Sequence, residues 1–264
     1  MAIHPTAIID PAAELGDVEV GPYAIIGPEV KLADGVVLGA HAVIEGPTSI
    51  GARTRIHPFA CIGGAPQDLK YAGERSSLEI GQDNVIREYV TIHRGTAGGG
   101  LTTRVGNHNL FMANSHVAHD CTVGDHCVFA NSVAIAGHVE VQDRAVLGGL
   151  AGIHQHARIG RCAMVGAGAM VALDVPPFTI AQGDRARLFG LNIIGLRRAG
   201  YDIDVIGRLR QAYRELFSGT APLRMAAERV RETWSEDVEV CELAGFVESS
   251  VRGVCRAAGA EAED

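Results

Sequence analysis

The stretch Ser115-His116-Val117-Ala118-His119-Asp120-Cys121 places two histidines and a carboxylate side by side. Histidine titrates near neutral pH, so it can take a proton from a hydroxyl and return it to a leaving group. A neighbouring carboxylate can fix the imidazole tautomer and stabilise the imidazolium. With Val117 pointing inward, His116 and His119 fall near a corner on either side of it, and Asp120 follows directly. Such a set needs no serine or cysteine nucleophile when the substrate brings its own hydroxyl. His138 follows Gly137, and His154 opens the run His154-Gln155-His156. His138 and His154 lie 19 and 35 residues beyond His119, each one residue from a whole number of 18-residue coils. A coil of that length would set them in a rough column along one edge.

The elements that must hold these residues show a period of six. Val105, Phe111, Val117, Val123, Phe129, Ile135, Val141, Leu147, Ile153, Ile159, Val165 and Val171 recur at that step. Upstream, Val20 to Ile62 and Ile80 to Ile92 repeat it, as do Ile3, Ile9 and Leu15. The period is neither helical nor simple strand alternation. It fits a short strand plus a corner, three per coil, with coils stacked in parallel. Glycine often follows the anchor, as at Gly27, Gly51 and Gly160, where it is expected to ease an unusual corner dihedral. Ala24, Ala42, Ala60 and Ala163 are expected to fill narrow inner corners.

The expected fold class is therefore an all-β solenoid, a parallel β-helix of hexapeptide repeats over residues 1–188, with an α-helical C-terminal domain over 189–264. Two stretches break the period, near 63–78 and 94–104, and read as loops ejected from the coil. Asp174-Val175-Pro176-Pro177 ends the repeat, because two prolines cannot continue a strand ladder. Beyond it, Asp204 is expected to cap a helix through Phe217. Ala221-Pro222 opens a second helix to Trp234, and Glu236 to Arg256 reads as a third. The tail from Ala257 to Asp264 is expected to fray.

Composition bounds the function. A net charge of −8 with no basic block argues against nucleic-acid binding. No apolar run approaches the ~20 residues of a membrane span, and the N-terminus lacks a signal-peptide pattern. The six cysteines show no C-x-x-C spacing and read as small buried residues of a cytoplasmic protein.

Several stretches resemble the acyl-[acyl carrier protein]–UDP-N-acetylglucosamine O-acyltransferase family. They are Gln67-Asp68-Leu69-Lys70-Tyr71-Ala72-Gly73-Glu74, Thr91-Ile92-His93-Arg94-Gly95-Thr96, the His116 to Gly124 stretch, Ala136-Gly137-His138-Val139 and Phe189-Gly190-Leu191-Asn192. The resemblance implies a left-handed coil and the first step of lipid A synthesis. A 3-hydroxyacyl chain would move from acyl carrier protein to the 3-hydroxyl of UDP-N-acetylglucosamine. His119 would be the general base, Asp120 its orienting partner and the Gly137 N–H the oxyanion donor. Asp68, His116, His138, His154 and Gln155 match positions that contact the sugar nucleotide or the pantetheine arm. Lys70, Asn192 and Arg198 match positions associated with the nucleotide and the carrier, and Arg185, Arg187, Arg197 and Arg198 could form a docking patch for that acidic partner. The resemblance also implies a homotrimer with active sites between subunits, where Gln67 to Tyr71 would serve a neighbour's His119. It implies no metal or other cofactor, since the acyl donor arrives on the carrier's phosphopantetheine.

Three residues depart from the family pattern. Ile194 stands where a glutamate is common, His156 where an aromatic is frequent, and Ala167 in the region used as an acyl-length gauge. The Ile194 departure leaves a 3-amino sugar nucleotide open as acceptor. A related N-acyltransferase fits less well, because it carries an extra N-terminal domain and here the repeat begins at Ile3. A zinc-dependent, carbonic-anhydrase-like trimer would space two ligands as H-x-x-x-x-H, which is not found around His116 and His119. A non-catalytic scaffold would not require the His116–Asp120 stretch together with the Gln67–Glu74 loop.

Overall fold

Anchors spaced by six become short strands, and as far as Met170–Val171 every third strand joins the same sheet. The computed structural model describes residues 1–218 and 221–258. Among these, three sheets of 11, 9 and 8 strands form the sides of a β-helix. Pairing is parallel until Arg187–Leu191 returns antiparallel on Thr179–Gln182. The anchors stack in register: Ile26, Ile44 and Ile62 on one side, Leu38, Ile56 and Ile86 on the next, Ile50, Ile80 and Val105 on the third. All are buried. Each such side chain stabilises the fold by about 1.5–3 kcal/mol.

The corners depart from the expectation for glycine. Positive φ falls on larger residues, including Tyr23 (57°), Phe59 (63°), Asp120 (59°) and His138 (61°). Gly27, Gly51 and Gly160 do not take that conformation. A Cβ on Gly51 would lie 2.5 Å from the carbonyl carbon of Gly81, and one on Gly160 would lie 2.3 Å from the nitrogen of Pro177. At these two corners the next coil's close approach selects glycine, not a backbone angle. Ala24, Ala42, Ala60 and Ala163 fill the inner corners and are fully buried.

Ile62 pairs with Ile92, and Ile92 with Val117, so these coils carry extra residues. The extra chain leaves the coil between Gly64 and Ser77, and between His93 and Thr102, the second segment holding a 3-10 turn at Ala97–Gly99.

The strand Arg187–Leu191 runs across the junction expected at 188–189 and leads, among the described residues, into four helices: α1 (Ile193–Arg198), α2 (Ile203–Phe217), α3 (Leu223–Thr233) and α4 (Val238–Glu248). Helix α1 was not anticipated. Asp202, not Asp204, is the N-cap of α2. Helix α4 stops well short of Arg256. Gly253 takes φ 88°, and the chain returns to the coil, where Val254 pairs with Asp174 and Ala257 with Leu188. The Ser250 hydroxyl donates to the buried Asp174 carboxylate at 2.8 Å. These bonds to the coil replace further helical turns. The start of the expected fraying tail is thus paired, and residues 259–264 lie outside those described. The helices bury their own cluster, including Phe178, Leu196, Leu209 and Leu243. The Arg158 guanidinium lies 4.1 Å from the centre of the Phe246 ring, and Arg161 Nε donates to Glu242 at 2.9 Å. Both contacts dock α4 on the coil.

Candidate active site

His119 and Asp120 form one corner of the coil, two and three residues past the inward Val117. The second ejected segment closes over that corner. Thr96 N–H donates to Asp120 Oδ1 at 2.8 Å, and the Thr96 hydroxyl donates to Oδ2 at 2.6 Å. His119 Nδ1 lies 2.8 Å from the same Oδ2. The carboxylate is an acceptor, so Nδ1 is assigned the proton and Nε2 keeps its lone pair. Nε2 has no hydrogen-bond partner among the described residues.

One coil further on, Gly137 lies against that imidazole. A Cβ there would come within 2.5 Å of His119 Cε1 and 2.7 Å of Nε2. The Gly137 N–H has no acceptor among the described residues. A base with a free lone pair thus stands beside an unused backbone donor, the two groups that acyl transfer to a hydroxyl requires.

The expected histidine column is spread over three adjacent rows. Asp120, His138 and His156 share the positive-φ corner, Gly137 stacks beside His119, and His154 falls one row away. His138 stacks on His156 with centroids 4.4 Å apart and meets His119 edge-on at 5.2 Å. Burial holds the pKa of His138 below its ordinary value, and His156 and His119 push the same way, against the opposing pull of Asp120 and Asp68. Burial lowers His116 too, with a further push from His119. His93, which sequence reading left without a role, is pushed down to about 4 by burial, then by His116, His119 and Arg94. Thr91 Oγ1 lies 2.7 Å from His116 Nδ1 and fixes that ring.

His119, Asp120 and His138 offer ligand atoms within 4.8 Å of one another. Asp120 already accepts three hydrogen bonds on a fully buried side chain. That donor set fits a hydrogen-bonded His–Asp pair better than a metal cradle.

An open groove of about 710 Å³ runs past the pair, lined by His119, Gly137, Gln67, His116, His154 and Gln155. Gln67 lines this groove together with the His119 of its own chain. The groove continues along the outer face of one sheet, where His116, Ala134, Gly152 and Met170 pair in register. Small side chains leave a channel, and Met170 rises at its far end beside Arg185. Met170 was missed in the sequence; its one signal was the 18-residue step from Gly152. Ala167 is exposed and is not among the residues lining this groove. Arg252, also missed, donates to His154 Nδ1 at 2.7 Å from the chain beyond α4.

His138 and Asp120 line a second groove, of about 720 Å³, shared with Arg158, Arg161 and Glu242. Asp68 Oδ1 accepts from Lys70 N–H at 2.9 Å, and the Lys70 side chain is exposed. Asn192 is buried and caps α1: its Oδ1 accepts from Gly195 N–H at 3.0 Å, and its Nδ2 donates to Cys162 O at 2.9 Å. Arg197, Arg198 and Ile194 stand exposed on α1. No described helix is long and apolar enough to cross a membrane.

Comparison with known proteins gives the family. Residues 174–255 match the family described as UDP N-acetylglucosamine O-acyltransferase, Domain 2, and residues 102–137 match the bacterial transferase hexapeptide (six repeats). The chain is 51% identical over 255 residues to the acyl-[acyl-carrier-protein]–UDP-N-acetylglucosamine O-acyltransferase of Myxococcus xanthus, covering 96% of this chain and 99% of that protein. The crystal structure of UDP-N-acetylglucosamine O-acyltransferase (LpxA) from Moraxella catarrhalis matches with a TM-score of 0.94 at 42% identity, over 97% of this chain and 100% of that one. LpxA from Acinetobacter baumannii also matches at 0.94, with 44% identity and the same coverage. With its coil, its helices and nearly its whole length shared with these enzymes, the chain belongs to the acyl-[acyl carrier protein]–UDP-N-acetylglucosamine O-acyltransferase family and is an acyltransferase.

Proposed function

We propose that this enzyme moves a 3-hydroxyacyl chain from acyl carrier protein to the 3-hydroxyl of UDP-N-acetylglucosamine, the first step of lipid A synthesis. The observation that carries the reading is the free Nε2 of His119 beside the Gly137 N–H on one groove wall. His119 Nε2 takes the proton from the sugar 3-hydroxyl, and the oxygen attacks the thioester carbonyl carbon. The new C–O bond forms, and the Gly137 N–H stabilises the oxyanion. The C–S bond then breaks, and the imidazolium returns its proton to the phosphopantetheine sulfur. Asp120 holds the tautomer and stabilises the imidazolium throughout.

Gln67, Asp68, His116, His138, His154 and Gln155 contact the sugar nucleotide or the pantetheine arm, and Lys70 and Arg198 contact the nucleotide or the carrier. Asn192 acts through α1, which it caps. Ala167, exposed and outside the groove of one chain, sets acyl length only where the intersubunit site reaches it. The coil is left-handed, it forms one domain and the helices that follow Arg187–Leu191 form the other, and the active enzyme is a cytoplasmic homotrimer with sites between subunits. The reaction uses no resident cofactor.

The test is incubation with UDP-N-acetylglucosamine and a panel of 3-hydroxyacyl carrier proteins, with acylated sugar nucleotide read by mass spectrometry. Product is expected, and His119→Ala is expected to lower the rate by about a hundred- to ten-thousandfold. No product with any chain would reject the acceptor, and the 3-amino sugar nucleotide would take its place in the assay.

A further inference from the structure

Two motif residues have no part in the chemistry above, Glu74 in the first ejected segment and Thr96 in the second. Thr96 is buried, and both its backbone N–H and its hydroxyl are spent on the Asp120 carboxylate, one on each oxygen. The turn that carries Thr96 is built to reach that carboxylate. A Cβ on Gly99 would lie 2.0 Å from Asp120 Cγ, and one on Gly95 would lie 2.8 Å from Oδ1. Asp120 is gripped from a third side, since its own N–H donates to Thr103 Oγ1 at 2.8 Å.

Glu74 ties this turn to the other segment. Its Oε1 accepts from Ala97 N–H at 3.0 Å, one residue after Thr96, and its Oε2 accepts from Ala72 N–H at 2.9 Å. These backbone donors, Ala97 first, hold the Glu74 carboxyl below the usual carboxylate range. Glu74 ends the stretch that begins with Gln67 and Asp68. Hydrogen bonds, joined by the Thr96–Ala97 peptide link, therefore connect Glu74 through the Thr96 turn and Asp120 to His119 Nδ1.

We propose that Thr96 is the positioning residue of the base, and that Glu74 makes the alignment of His119 depend on the segment carrying Gln67 and Asp68. The inference rests on His119 being the general base. Its physical content is that a carboxylate held on both oxygens cannot rotate away from the imidazole, so Nε2 stays aimed into the groove. Displacement of the substrate-contacting segment would pull on Ala97, loosen Thr96 and release Asp120.

Steady-state kinetics on Thr96→Val, Thr96→Ser, Glu74→Gln, His119→Ala and the double variant Thr96→Val/His119→Ala tests this. Thr96→Val keeps shape and removes the hydroxyl. Its kcat should fall about ten- to hundredfold, the range for a lost hydrogen bond to a charged group, with KM for the sugar nucleotide within about twofold. Thr96→Ser should recover kcat to within about threefold of wild type. On the His119→Ala background, Thr96→Val should lower the residual rate less than about twofold, because there is no base left to aim. Glu74→Gln turns one acceptor into a donor facing an N–H, and should lower kcat and raise KM together, each about three- to tenfold.

A Thr96→Val kcat near wild type would overturn the proposal, as would failure of serine to rescue or an equal loss on both backgrounds. Should Thr96→Val not fold, Glu74→Gln decides, and unchanged kinetics there reject the proposal. A fully active His119→Ala enzyme would instead remove the base assignment itself, whatever Thr96 does.

Discussion

The His119 ring has one nitrogen committed to Asp120 and one left over, and the space in front of the second is kept by the absence of a side chain at Gly137. That absence makes a sharp prediction. In Gly137→Ala the new methyl would sit 2.5–2.7 Å from the imidazole, so the ring or the corner must move. Misplacing a catalytic group by about 1 Å costs on the order of a hundredfold in rate. The variant should therefore lose about that much kcat while keeping its circular dichroism spectrum. Wild-type kcat in Gly137→Ala would show that the ring does not work from this position. The His–Asp pair was legible in the sequence, because adjacency in the chain forces adjacency at a corner. Arg252 on His154 was not, because 98 residues separate them and no local pattern marks the arginine.

Stacked coils explain residue choices that local propensity does not. Gly160 and Gly207 look alike in the sequence but differ in surroundings. A Cβ on Gly160 would strike the backbone of Pro177, whereas one on Gly207, on the exposed side of α2, would meet nothing within 4 Å. Gly160→Ala should destabilise by about 1–3 kcal/mol through overpacking. Gly207→Ala should stabilise by about 0.4–1 kcal/mol, by restricting the unfolded chain and improving helix propensity. Urea denaturation of the two variants measures both. Equal effects would show that close approach of the coils does not select glycine at the corner. The stretch from α4 onward reads as helix to Arg256, yet the buried Asp174 and the free coil edge offer Ser250 and Val254 better partners than another turn.

At the scale of the whole molecule, burial of histidines makes stability depend on pH. His93 has a folded pKa of about 4, against an ordinary value of 6.5. Between those values the unfolded chain binds a proton that the folded chain refuses. Stability therefore rises with pH through that window. It is fully present above about pH 6.5, is lost as pH falls toward 4, and changes no further from this source below that. His116 and His138, also lowered, act in the same direction. Urea midpoints measured from pH 7 to 4 should fall steadily, and His93→Gln should flatten the slope. An unchanged slope in His93→Gln would mean that His93 is not the group that titrates.

The six-residue period determined the solenoid by itself, because only a strand-and-corner unit returns an apolar side chain inward at that step. The adjacency of His119 and Asp120 likewise set an imidazole beside a carboxylate. The tertiary structure decided what depends on stacking: which residue of one coil lies over which residue of the next. That stacking set Gly137 against His119, split the histidine column into neighbouring rows, and put Met170 at the far end of the groove. It also folded the second ejected segment onto Asp120. One residue gained or lost in a corner shifts every later residue by a row, and spacing along the chain cannot show where an ejected segment comes to rest.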